Sequence, residues 1–129
     1  MTTQEYLEQF TRGLTGCTAA GLVDISSGIV LCAAADQKHP QEYYDNLCAL
    51  AARVFDETSH LALTQAQGDP NTELRRESVV SANGHICLFI QSPSDPAEAM
   101  FCVCTNGIDV TETLAAARSS LHYIEQEQE

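Results

Sequence analysis

The stretch Gly16–Ala35, GCTAAGLVDISSGIVLCAAA, most narrows what this chain can become. Two apolar runs, Cys17–Val23 and Ile29–Cys32, flank the polar turn Asp24-Ile25-Ser26-Ser27-Gly28. Asp and Ser side chains offer oxygens to nearby backbone N–H groups, and glycine tolerates the positive φ that a tight reversal needs. The stretch therefore predicts a β-hairpin. Its runs are apolar at most positions instead of alternating, which suits strands covered on both faces or inner strands of a sheet.

Helical patterns bracket the hairpin. Thr2–Leu14 places Tyr6, Leu7, Phe10 and Leu14 on one stripe, with Thr2 or Thr3 as cap and Gly13 and Gly16 marking the end. After the loop Asp36–Pro40, a second helix is predicted from about Pro40 to Thr58 or Leu61. Its apolar residues, Tyr43, Tyr44, Leu47, Cys48, Leu50, Ala51, Val54 and Phe55, span more than one stripe. So wide an arc predicts a helix covered on two sides, by its own sheet and by a partner.

The polar segment Thr64–Asn71 reads as a surface loop. Three strand-like runs follow, Glu73–Ser81, His85–Gln91 and Ala99–Thr105. Asn83-Gly84 joins the first two as a hairpin turn. The first run carries Glu73, Arg75, Arg76 and Glu77, and a charged strand suits a sheet edge or pairing across a twofold axis. Asn106-Gly107 then leads into a last helix at about Val110–Ile124, with Asp109 as its cap. Residues 125–129 read as a frayed acidic tail of a single domain spanning 1–129.

The net charge of -12 argues against phosphate backbones and anionic membranes as partners. It suits solubility, or a protein partner with a basic patch. The first residues lack the basic and apolar regions of a signal peptide, and no apolar run is long enough to span a membrane, so a cytoplasmic location is expected. In that compartment the six cysteines, Cys17, Cys32, Cys48, Cys87, Cys102 and Cys104, are expected as thiols.

Catalytic signatures are sparse. No nucleophile elbow and no glycine-rich phosphate loop occurs, and no enzyme activity or cofactor is expected. Cys102-x-Cys104 on one strand face, with Cys87 on a neighbouring strand, raises a zinc cluster as one alternative. The spacing lacks the paired C-x-x-C of structural zinc sites, and buried thiols are the favoured reading, with no metal. His39, His60, His85 and His122 share no ligand spacing and read as surface residues. Arg75 and Arg76 point to opposite faces of a strand, so one of them could reach a partner's acids or phosphate. Solvated edge arginines balancing Glu73 and Glu77 are the favoured reading.

The order of elements resembles the roadblock / dynein light chain family, of profilin-like α/β (α+β) fold. The residues that carry the resemblance are Gly16–Cys32, the helix PQEYYDNLCALAARVF from Pro40, the hairpin Glu77–Ile90 and the strand-to-helix run Phe101–Arg118. The resemblance implies an α-β-β-α-β-β-β-α chain. Its five-stranded antiparallel sheet would carry the central helix on one face and the terminal helices on the other. It also implies a homodimer in which central helices pack and third strands pair, and no catalysis of its own.

The function so implied is a regulator or docking platform for a Ras-like small GTPase. By analogy with bacterial members, it would reshape the GTPase site rather than donate an arginine. The alternative is a structural adaptor in a motor or signalling complex with no nucleotide link. A small-molecule sensor is a third class, since related sheets bind ligands. Candidate partner and dimer-interface residues are Tyr44, Leu47, Ala51 and Phe55 on the helix, with Arg75, Arg76, Ser78 and Val80 on the strand.

Overall fold

Local sequence signals set the ends of each element in the computed structural model, which describes residues 2–65, 77–82 and 84–127. Helix α1 spans Thr3–Gly13. Thr2 caps it, its hydroxyl oxygen accepting from the Glu5 N–H at 3.2 Å. Strands β1 (Cys17–Asp24) and β2 (Ile29–Ala35) form the expected hairpin. In its turn, one Asp24 carboxylate oxygen accepts from Ser26 N–H at 3.0 Å and Ser27 N–H at 3.3 Å, and Gly28 sits at φ 73. Those donors hold the Asp24 carboxyl below its ordinary pKa, the Ser26 hydroxyl contributing most.

Helix α2 runs Gln41–Gln65, several residues beyond its predicted end, so Thr64 and Gln65 are helical rather than loop. Strands β3 (Glu77–Ala82), β4 (His85–Gln91) and β5 (Glu98–Thr105) follow. Residues 66–76, which include the expected loop and the start of the charged strand, lie outside the described residues. Helix α3 spans Val110–Glu127, so residues 125–127 continue the helix instead of forming a tail. Asp109 caps it, its carboxylate accepting from Glu112 N–H at 3.0 Å.

The five strands form one antiparallel sheet in the order β2-β1-β5-β4-β3. Chain order and sheet order differ because β5 inserts between β1 and β4. This placement splits the hairpin's two fates. Strand β1 is an inner strand and is buried along nearly its whole length. Strand β2 ends the sheet, and its Ile29 and Leu31 are exposed. Continuous apolarity thus described β1 well and misplaced β2. Strand β3 is the other terminal strand, as its charge predicted.

Alternation along the strands sorts the core into two layers. Leu88, Ile90, Met100, Cys102 and Cys104 pack against Leu7 and Phe10 of α1 and Ala117, Leu121 and Ile124 of α3. Cys87, Phe89, Ala99, Phe101 and Val103 pack against Leu47, Cys48, Ala51 and Phe55 of α2. Each fully buried Phe or Leu contributes about 1.5–3 kcal/mol relative to exposure, so both layers hold the sheet. The central helix on one face and the terminal helices on the other is the expected arrangement.

Candidate interaction surface

The inward face of α2 follows from its spacing. Leu47, Ala51 and Phe55 recur every four residues and, with Cys48, are buried against the chain's own sheet. Half-buried Tyr44 joins them, its ring 6.5 Å from Phe101. Asp45, Asn46, Ala49 and Arg53 face outward and are exposed, and Leu50 is half-buried between the two faces. Over Gln41–Phe55 the helix is therefore covered mainly from one side within the protomer. Its outer side is more polar than the sequence suggested, because much of the wide apolar arc wraps onto the sheet.

Strand β3 distributes its residues in the same way. Val80 lies opposite Cys87 and packs in the α2 layer, and Ser78 lies opposite Phe89 on that face. Glu77 and Val79 belong to the α3 face, where Val79 is 46% exposed. Both guanidinium donors of Arg118 on α3 engage the two oxygens of Glu77, a fork-to-fork pair that ties the last helix to the sheet's end. Sequence reasoning misses this pair. Forty-one residues separate the partners, and no local pattern marks them. Arg75 and Arg76 lie outside the described residues.

The cysteines divide by face. Cys102 and Cys104 share the α1/α3 layer, as the C-x-C spacing predicted. Cys87 lies opposite Val103 and points to the α2 layer, so the sheet itself separates it from the other two. Among the described residues no group of three His, Cys, Asp or Glu side chains is placed to hold a metal ion. Burial pushes the Cys102 and Cys87 thiols above their ordinary pKa.

A cavity of about 320 Å³ opens beside the start of α2, lined in part by Thr18, His39, Tyr43, His85 and Cys87. His39 is no surface residue here. It is half-buried, its ring stacks on Tyr43 at 3.9 Å, and its Nε2 is buried without a hydrogen-bond partner. Burial pushes the Tyr43 hydroxyl up to about 12. Thr18 Oγ1 is already spent as a donor to the Val103 carbonyl at 3.1 Å. His85 and His122 are exposed, and His122 Nε2 lies 3.1 Å from the Gln126 side-chain nitrogen. The side chain of His60 lies outside the described residues.

Compared by sequence, the chain matches no family model and no curated protein. Compared by structure, it is similar to a Roadblock/LC7 domain from Streptomyces avermitilis, with TM-score 0.77 and 12% identity over 99% of this chain and 98% of that one. It is similar to the gliding protein mglB from Thermus thermophilus, with TM-score 0.74 and 17% identity over 96% and 86% of the two chains. It is also similar to MglB of Myxococcus xanthus, with TM-score 0.72 and 10% identity over 98% and 94%. The chain has the Roadblock/LC7 fold over nearly its full length.

Proposed function

We propose, taking that fold as the premise, that the chain is a noncatalytic homodimeric regulator or docking platform for a Ras-like small GTPase. The observation that carries the reading is the near full-length likeness to Roadblock/LC7 and MglB structures. Its element order is that of the family whose resemblance implies GTPase binding. The charge of -12 supports the reading further, since it favours a partner with a basic patch.

In this reading the dimer forms through the outer face of α2 and the free side of β3. Leu47, Ala51 and Phe55 then act by fixing the helix on the sheet, since they are buried within one protomer. Tyr44, Ser78 and Val80 flank the contact from the same layer, and exposed Ala49 and Arg53 carry it. Ala49 is small enough for two helices to approach closely. Arg75 and Arg76, outside the described residues, stay candidate partner contacts by sequence alone.

The test is capture of the candidate GTPase loaded with GTP or GDP. Binding to either form, with a preference, supports regulation, and equal failure with both sinks it. Arg75→Ala or Arg76→Ala leaving stimulated hydrolysis unchanged excludes an arginine finger while leaving the platform role intact. Light scattering at micromolar concentration reads the dimer. Ala49→Glu, at an exposed position, is expected to give folded monomers whose thermal midpoint no longer depends on protein concentration.

A further inference from the structure

We propose that Cys17 and Cys104 are a reversible dithiol–disulfide pair, closed by a small peroxide. The inference stands on backbone geometry. Cys17 opens β1 and lies directly opposite Cys104 near the end of β5. The Thr105 N–H donates to the Gly16 carbonyl at 2.9 Å, one residue beyond the pair on each strand. That bond makes Cys17 and Cys104 a non-hydrogen-bonded pair, the kind whose Cα atoms stand about 4.5 Å apart with side chains closest. A disulfide needs a Cα separation of about 4.4–6.8 Å, a range that includes this spacing, and the register irregularity between Cys17 and Ala19 gives the strand end room to adjust as the bond closes.

The other four cysteines lack such a partner. Cys102 faces Ala20 across the same strands, and Cys32 faces Leu22. Cys87 and Cys48 lie in the opposite layer of the core. The two facing thiols perturb each other's titration, while the Cys17 S–H has the Ala19 carbonyl oxygen as its acceptor at 3.6 Å. The contact raises the Cys17 thiol and lowers that of Cys104, so Cys104 is the more readily deprotonated of the two and takes the nucleophilic role.

Both thiols are buried, so a small oxidant must enter by local opening. Cys17 is the first residue of its strand, and openings at element ends cost less than global unfolding. The Cys104 thiolate attacks one peroxide oxygen, the O–O bond breaks, and the leaving hydroxide takes a proton to become water. Cys104 is then a sulfenic acid. The Cys17 sulfur attacks it, the S–S bond forms, and the departing hydroxide combines with the Cys17 proton as a second water. Two thiols lose two electrons and the peroxide gains them. The product ties β1 to β5 across residues 17 and 104, at the centre of the sheet order.

The test treats the folded chain with hydrogen peroxide, blocks remaining thiols with N-ethylmaleimide and maps peptides by mass spectrometry. The expected result is a crosslinked peptide joining Cys17 to Cys104, four blocked thiols, and recovery of all six after dithiothreitol. Cys17→Ser and Cys104→Ser lose the crosslink, and Cys102→Ser keeps it. Six blocked thiols in the oxidised wild type overturn the proposal. So does a crosslink through Cys102, or addition of oxygen at either sulfur without a bond. Mapping of the wild type decides the matter even where a serine variant folds poorly.

Discussion

Adding one methyl group at Gly21 is expected to loosen the sheet at its centre. Gly21 lies in the middle of β1, opposite Phe101 of β5 and Ala33 of β2. A Cβ there would stand 2.6 Å from the Cys32 carbonyl oxygen and 2.6 Å from both Cε1 and Cζ of the Phe101 ring. Ordinary contact begins near 3.4 Å, so neighbours must retreat by about 0.8 Å. One of them is backbone, held in the β1–β2 ladder. The other is a ring with no exposure, packed beside Tyr44.

Overpacking of this kind costs about 1–3 kcal/mol, and the entropic gain of alanine over glycine in a strand returns roughly 0.5–1 kcal/mol. Two clashes at 2.6 Å, one of them with backbone, put the gross cost at the upper end, about 3 kcal/mol, so the net expectation for Gly21→Ala is a loss of about 2 kcal/mol. That corresponds to a thermal midpoint lower by roughly 6–10 °C for a domain of this size. Urea unfolding at constant m-value measures it. Phe101→Leu on the same background removes the ring clash but leaves the carbonyl clash. The double variant should therefore lie above the sum of the singles by about 1 kcal/mol. A Gly21→Ala protein as stable as wild type, or a strictly additive cycle, would refute the reasoning.

Three other perturbations follow from single contacts. Asp109→Ala removes the cap of α3 and should cost about 1 kcal/mol in urea, with Asp109→Ser recovering most of it. Arg118→Ala should cost up to about 1 kcal/mol, since the guanidinium is partly exposed; the loss should shrink in concentrated salt, and Arg118→Lys should restore only part because an ammonium cannot match both Glu77 oxygens. Asp24 has a folded pKa below its unfolded one, so its turn contacts favour folding above the unfolded carboxylate pKa and that contribution disappears as pH falls through the folded value. Asp24→Asn should flatten that part of the acid limb of stability, read as urea midpoints against pH, and an unchanged limb would count against the turn contacts.

Chemistry was legible wherever it was local. The Asp24–Gly28 turn, the Thr2 and Asp109 caps and the strand character of Glu98–Thr105 each depend on neighbours within a few residues. Helix ends were less so. α2 and α3 outrun their predicted ends because helix cooperativity carries the backbone ladder past the predicted stop. His39 misled although Tyr43 is only four residues on, because His39 lies in the loop before α2, where no helical spacing marks the two rings as neighbours.

By itself the sequence determined the element order, the two-sided burial of β1 and the charged character of one sheet end. Period and turn chemistry act over a handful of residues, and they suffice for that. Only the tertiary structure decided that β5 inserts between β1 and β4, which makes β2 a free end and brings Cys104 opposite Cys17. It also decided which arc of α2 meets the sheet and that Cys87 turns away from Cys102 and Cys104. Those outcomes depend on strand partner and register. A shift of one residue reverses every side chain's face, and no local pattern records that choice.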